Sequence, residues 1–218
     1  MFIQYSMTTD PVTIGPDLPV TETVAMLSRK KFRHLPVVDK DGKLLGMVTD
    51  RDLRSACPSS MLNTKERERV MEKVKDITIR QIMSTDFVVL QPTATLDDAL
   101  LLFKTRSIGA LPVVDDKNTV VGIFSLNDMM AAYRRLFGLG EKGSVLVAIE
   151  DFGEQAELGT LVNALEKENV FFTRLIRAQG QGREPDMLYL RVNTMNIRAV
   201  HRIIEEAGFH VHIPAAAS

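Results

Sequence analysis

Apolar positions in the first 56 residues alternate between short runs and helical steps. Val12-Thr13-Ile14 is an extended run ended by Gly15-Pro16, and Val20, Val24 and Leu27 then recur at i, i+4 and i+7, the spacing of one helical face. Next come an apolar strand, Leu35-Pro36-Val37-Val38-Asp39, a polar turn at Lys40-Asp41-Gly42, a second strand from Leu44 to Val48, and a closing helix. The series returns 76 positions later without a gap, so that residues 7–56 are rewritten at 83–132. Leu96, Leu100 and Phe103 take the helical face, Leu111-Pro112-Val113-Val114-Asp115 the first strand, and Val120 to Phe124 the second. A unit of about fifty residues is usually too small to bury a core alone, so the copies are expected to fold against each other, with function in the cleft between them.

The stretch joining the copies has no counterpart inside the repeat. Its centre, Lys65 to Val74, has mixed charge with Val70 and Val74 on one face, which predicts a solvent-facing helix rather than a loose linker. After a glycine-rich break at 138–143 the pattern changes. Strands are predicted at Ser144 to Ile149, Val170 to Ala178, Met187 to Val192 and Phe209 to Ile213. Helices are predicted at Leu158 to Glu168 and around Ile197, Val200, Ile203 and Ile204. The order βαββαβ is that of a ferredoxin-like unit, here in ~70 residues. The predicted fold class is therefore α/β (α+β). Repeat 1 is placed at 1–58, a helical connector at 59–76, repeat 2 at 77–137, a linker at 138–143 and the last domain at 144–214.

Composition adds mainly exclusions. With 45% hydrophobic and 25% charged residues and a net charge of -1, the 218-residue chain has no basic surplus that would imply a nucleic-acid partner. A single cysteine, Cys57, excludes an intramolecular disulfide and fits a reducing compartment, and no four-ligand Cys/His cluster suggests structural zinc. The first residues lack a basic n-region and an apolar core, and no run approaches the ~18 apolar residues that span a bilayer. A cytoplasmic location without membrane contact is expected.

Three features together carry a family resemblance: the lead-in Ile82-Met83-Ser84, the strand Leu-Pro-Val-Val-Asp, and the closing Gly-x-x-[Ser/Thr]-x-x-Asp of both copies. Each copy resembles a CBS domain, and two in tandem resemble the paired regulatory unit called a Bateman module. The tail is similar to an ACT domain, and the whole resembles the acetoin-utilisation protein B type of bacterial CBS protein.

The residues themselves suggest a ribonucleotide site. Thr49 and Asp52 stand three apart at a helix start, as do Ser125 and Asp128, so hydroxyl and carboxylate point to the same end. Such a carboxylate can accept hydrogen bonds from two ribose hydroxyls, and a hydroxyl beside free amides suits a phosphate. The same spelling is also a capping box, which needs no ligand. The resemblance implies two crossed sites. One combines Ser125 and Asp128 with Thr8, Phe32, Arg33 and His34; the other combines Thr49 and Asp52 with Ser84, Ile108, Gly109 and Ala110. Arg33 and His34 can face a phosphate where Gly109 and Ala110 offer only backbone, which favours the Asp128 site for a phosphorylated nucleotide. The Asp52 site is left to remain empty, to take S-adenosylmethionine, or to use Arg51.

No catalytic constellation emerges. Cys57 precedes Pro58 with no histidine nearby in sequence, and Gly138-x-Gly140-x-x-Gly143 follows a helix and precedes a strand, the reverse of a dinucleotide fingerprint. His201, His210 and His212 lack an acidic partner and read as surface residues rather than metal ligands. The ACT resemblance implies an amino-acid site near residues 151–159, but the Pro-Gly of that family's loop is missing, and a dimerising sheet edge is an equal reading. The expectation is thus a non-enzymatic sensor of AMP, ADP, ATP or an adenosyl ligand, requiring no cofactor, dimeric, and acting on a client enzyme or transporter. Val70, Met129, Met130, Tyr133, Leu136 and Phe137 would supply the apolar dimer face, or would close the intrachain core. The alternative is a constitutive scaffold that uses the repeats only to dimerise.

Overall fold

The computed structural model describes residues 1–29, 33–56, 64–151, 158–180, 182 and 185–213. They form two compact units, 1–132 and 133–218.

In the first unit each copy builds a hairpin and flanking helices. Copy 1 supplies β1 (Thr8–Thr9), α1 (Val20–Arg29), β2 (His34–Val38), β3 (Leu44–Thr49) and α2 (Asp50–Ala56). The connector forms α3 (Thr64–Val74), and copy 2 supplies α4 (Ile79–Ile82), α5 (Leu96–Arg106), β4 (Ala110–Val114), β5 (Val120–Ser125) and α6 (Leu126–Phe137). The two hairpins have the same register, pairing Leu35 with Val48 and Leu111 with Phe124, and each carries an irregularity between its two adjacent valines.

The copies are interlocked by their lead-in segments. Thr8 of copy 1 pairs with Ile123 on β5 of copy 2, and at the equivalent place Ser84 of copy 2 bridges Met47 on β3 of copy 1. Close approach is possible because the facing strand residues are glycines. A Cβ on Gly46 would lie 2.8 Å from the Ser84 carbonyl oxygen, and one on Gly122 would lie 2.6 Å from Met7 Sδ. Around the axis that relates the copies, Leu44 and Met47 of the first hairpin pack with Val114, Val120 and Ile123 of the second.

This crossing extends the repeat beyond the 7–56 echo. The Met1 carbonyl accepts from the Leu96 amide as the Ile77 carbonyl accepts from the Val20 amide, and Ile3 and Ile79 are both fully buried. The structural repeat thus begins at Met1 and Ile77. The residue-by-residue echo stops short of these starts because Ile3 and Ile79 are the only identical pair between positions 1–6 and 77–82.

Three expectations need correction here. Val12 to Ile14 is not a strand, since only Ile14 bridges, to Val37. Leu100 is 46% exposed while Ala99 is buried, and in copy 1 Thr23 is buried where Val24 is half-buried. At 100° per residue, i+3 and i+4 flank the line joining i and i+7 at equal angles, so tertiary packing decides which of them is buried. The buried Thr23 hydroxyl is satisfied by donating to the Pro19 carbonyl. The connector helix, finally, is not wholly solvent-facing. Lys65 and Arg69 are exposed, but Val74 is buried in the copy 1 core with Leu35, Val37 and Ile79.

The second unit contains β6 (Ser144–Glu150), α7 (Leu158–Lys167), β7 (Phe172–Ala178), β8 (Met187–Asn193), α8 (Ile197–Glu206) and β9 (His210–Val211). Its antiparallel sheet has the order β7-β8-β6-β9, which is the ferredoxin-like arrangement. Val147, Ile149, Leu188, Leu190 and Val192 face Leu161, Leu165, Val200 and Ile204 in its core. Two strands are shorter than expected. Val170 does not open β7 because its amide donates to the Leu165 carbonyl, while Asn169, at φ 54°, donates to Glu166 in a Schellman closure of α7. β9 keeps only His210 and Val211 of the expected run, and Ile213 is exposed.

Of the apolar residues proposed for a dimer face, Met129 is buried, Val70 is half-buried, and Tyr133 stacks on Phe137 with ring centroids 5.9 Å apart. Met130 and Leu136 are exposed.

Candidate functional site

Both Ser/Thr-x-x-Asp motifs form capping boxes. At α2 the Thr49 amide and hydroxyl reach Asp52 Oδ2 at 2.8 and 2.7 Å, and the Asp52 amide donates to Thr49 Oγ1 at 3.3 Å. At α6 the corresponding distances for Ser125 and Asp128 are 2.8, 2.6 and 3.3 Å. The cap and a ligand are compatible readings, because the box engages Oδ2 alone. Among the described residues Oδ1 of each aspartate has no hydrogen-bond partner.

Each aspartate borders a cavity. The first, about 1220 Å³, is lined by Thr8, Arg33, His34, Ser125 and Asp128, and also by Asp10, Val24, Leu27, Leu53 and Asn127. Five of the six residues assigned to this site by sequence are therefore together; Phe32 lies outside the described residues. The second cavity, about 590 Å³, is lined by all six residues assigned to it: Thr49, Asp52, Ser84, Ile108, Gly109 and Ala110. Small-molecule sites typically occupy roughly 300–1,000 Å³, so each has room for a nucleoside. The lead-in crossing explains the assembly, since pairing Thr8 with β5 and Ser84 with β3 sets each lead-in beside the other copy's aspartate.

The cavities share a wall. Arg33, His34, Asp50, Arg54, Gly109 and Ala110 line both, whereas the sequence divided Arg33 and His34 from Gly109 and Ala110. The reason is proximity. A Cβ on Gly109 would lie 3.2 Å from His34 Cε1 and Nε2, so the glycine makes room for the ring. The carbonyls of the equivalent residues Arg33 and Gly109 likewise accept from the first amides of α2 and α6, those of Asp50 and Leu126. Burial pushes the His34 imidazole below its ordinary pKa and the neighbouring Arg33 pushes the same way, against the opposing pull of Asp52 and Asp50. Arg54 is held by an ion pair to Asp50.

Sequence reasoning missed Asp10 and Asp50, and Arg106, Asp86 and Phe87 in the second cavity, while Arg51 lines that cavity as one of its alternatives allowed. Arg106 could have been found from its place two residues before Ile108, at the end of α5.

Outside these cavities His212 Nδ1 lies 3.0 Å from Glu150 Oε1, an acidic partner the sequence did not reveal. Among the described residues no group of three His, Cys, Asp or Glu side chains is arranged to hold a metal ion. Cys57 lies outside the described residues, as does most of the 151–159 loop. Its first residue, Asp151, is buried and held by Arg177 through Oδ2 at 2.5 Å and Oδ1 at 3.2 Å. No helix among the described residues is long and apolar enough to cross a membrane.

Comparison with known proteins agrees with this architecture. The profile of the family described as CBS domain matches residues 3–59 and 74–135, more than half of the chain. A CBS domain-containing protein of Dictyostelium discoideum is 30% identical over 130 residues, spanning 60% of this chain and 89% of that one. The crystal structure of a chain described as an acetoin utilization protein from Vibrio cholerae superposes with a TM-score of 0.53 at 26% identity, covering 65% of this chain and 96% of its own. A CBS domain pair crystallised with 5′-methylthioadenosine and S-adenosyl-L-methionine superposes at 0.50 with 27% identity, covering 63% and 96%.

Proposed function

The chain belongs to the CBS-domain family and carries the domain as a tandem pair, and from that premise we propose that it is a non-catalytic regulatory sensor. Its ligand is AMP, ADP, ATP or another adenosyl compound such as S-adenosylmethionine, held between the two copies. The observation that carries this reading is the pair of capping-box aspartates. Each has one carboxylate oxygen fixed by the cap and the other available at a cavity closed by the opposite copy's lead-in. That oxygen suits a ribose hydroxyl, and the arginines nearby suit a phosphate. The CBS pair crystallised with adenosyl ligands supports the ligand class.

Occupancy would alter how the two copies sit against each other, and the ACT-like tail or a homodimer surface would present the change to a client enzyme or transporter in the cytoplasm. In this reading repeat 1 (1–58) and repeat 2 (77–137) form the sensor, the helical connector (59–76) joins them, and a linker (138–143) leads to the tail (144–214). Isothermal titration with AMP, ATP and S-adenosylmethionine is the test, using wild type, Asp52→Ala and Asp128→Ala. The expected result is binding to the wild type that each alanine weakens; unchanged binding in both variants refutes the assignment.

Exposed Met130 and Leu136 favour a second reading, a constitutive dimerising scaffold. Thermal shift separates the two, because a ligand at a hundred times its dissociation constant adds ~2.7 kcal/mol to the folded state and a scaffold shows no shift.

A further inference from the structure

His34 is the single imidazole of the tandem pair: of the chain's four histidines the other three, His201, His210 and His212, belong to the tail. It opens β2 opposite Thr49, the residue that caps α2, and it borders both cavities. Its equivalent in copy 2 is Ala110, which opens β4 opposite Ser125 and is buried. The ring also reaches the other copy, since a Cβ on Gly109 would lie 3.2 Å from its Nε2 and Cε1. The repeat thus carries two cavity aspartates, Asp52 and Asp128, and one imidazole that both cavities share.

The surroundings of the ring favour its neutral form. Burial lowers its pKa most, and Arg33 beside it acts in the same direction. Asp52 and Asp50 of α2 pull the other way, but Asp50 is also paired with Arg54, and Asp52 is engaged by its own cap. Among the described residues the remaining charges border one cavity each: Asp10 and Asp128 the first, Asp86, Arg51 and Arg106 the second. A phosphate monoester carries about 1.5 to 2 negative charges at neutral pH. Placed beside the ring from either cavity, it favours the imidazolium, which has two N–H donors where the neutral ring has one. Resting on the adenosyl-sensor reading above, we propose that His34 is a proton-linked phosphate residue common to both cavities. A phosphorylated nucleotide in either cavity draws a proton onto this one imidazole, so the chain takes up no more than one proton however many such ligands it holds. An adenosyl ligand without a phosphate draws none. Nucleotide and proton are sensed together, and phosphorylated ligands bind more tightly as pH falls through neutrality.

The test is calorimetry of the full chain with AMP and with adenosine, which shares the nucleoside and lacks the phosphate, in two buffers of different ionisation enthalpy at pH 7.5. Wild type should take up protons with AMP, to a limit of one per chain at saturation, and none with adenosine. AMP affinity should rise by up to about tenfold as pH falls from 8 to 7, the limit for one linked proton. In His34→Gln both the proton uptake and the pH dependence should disappear, with a cooperative melt showing that the variant is folded. The His34 ring resonance of wild type, which needs no variant, should titrate at higher pH with AMP than without it. Binding of AMP without proton uptake, equal uptake with adenosine or in His34→Gln, or uptake of two protons by a chain holding two AMP overturns the shared imidazole. Absence of any binding of AMP or adenosine to wild type overturns the sensor reading itself and this coupling with it.

Discussion

Alanine at Gly46 and at Gly122 places one methyl group at two equivalent points of the repeat, with unequal consequences. At Gly46 the new Cβ lies 2.8 Å from the Ser84 carbonyl oxygen and 2.9 Å from Met83 Sδ. That carbonyl is held: it accepts from the Met47 amide at 3.0 Å, and the Ser84 amide donates to Met47 at 2.8 Å. Reaching an ordinary contact of about 3.4 Å requires the Ser84 backbone to retreat by roughly 0.6 Å, loosening two hydrogen bonds worth about 1 kcal/mol each. Overpacking costs about 1–3 kcal/mol and alanine regains about 0.4–1 kcal/mol from the unfolded chain, so Gly46→Ala should destabilise by about 1–2 kcal/mol. At Gly122 all three nearest atoms belong to the Met7 side chain, the closest at 2.6 Å. An unbranched thioether can change rotamer, so Gly122→Ala should cost about 0–1 kcal/mol. Urea unfolding of both variants gives the comparison, and titration with an adenosyl ligand adds a second readout, since displacing Ser84 disturbs only the Asp52 cavity. Equal costs, or a larger cost at Gly122, would refute the claim that a fixed backbone crossing demands the glycine.

The remaining expectations are shorter. Ser125→Ala and Thr49→Ala should each lose about 1 kcal/mol in urea melts through the capping box, while Thr49→Ser should lose only a few tenths. His34 is held below its usual pKa of about 6.5, so the unfolded chain takes up the proton first and stability should fall as pH drops below about 6.5. Melts of His34→Gln between pH 7.5 and 5 should have a shallower slope, and an identical slope would sink the argument. Phe103→Ala should cost about 3–5 kcal/mol because the ring is buried and stacked on Phe124 at 6.2 Å, whereas Leu100→Ser should stay within about 0.5 kcal/mol.

Much of this molecule is legible because its elements are set locally. Leu-Pro-Val-Val-Asp reads as a strand in either copy, and the aspartate closes the turn in both: Asp39 Oδ1 accepts from the Asp41 and Lys43 amides, Asp115 Oδ1 from the Lys117 and Thr119 amides. The βαββαβ order of the tail was equally readable from apolar spacing. What escaped was decided by tertiary partners. Thr23 is buried because its hydroxyl finds a carbonyl one turn back, and Val74 because the connector must cover the copy 1 core. Ile3 and Ile79 look unremarkable in sequence, yet each seals the opposite end of a crossing that only the folded pair creates.

The same distinction governs the candidate site. Off-axis residues could be allotted by the crossing rule, and Thr49, Ser84 and Ile108 do line one cavity while Thr8, Ser125 and Asp128 line the other. On the axis the rule fails for a geometric reason. Arg33 with His34 and Gly109 with Ala110 are equivalent positions, so each pair must meet the other where the copies face, and both border both cavities. Positional equivalence tells which residues occupy the axis but not how far each reaches across it. A long side chain there serves two sites and a glycine serves neither, so replacing Arg33 should disturb both cavities, whereas replacing Arg106 or Asp10 should disturb one. Away from the axis the carboxylates are matched, Asp10 with Asp86 and Asp128 with Asp52, and among the described residues the difference in charge between the cavities is carried at Arg51, where the equivalent residue is Asn127.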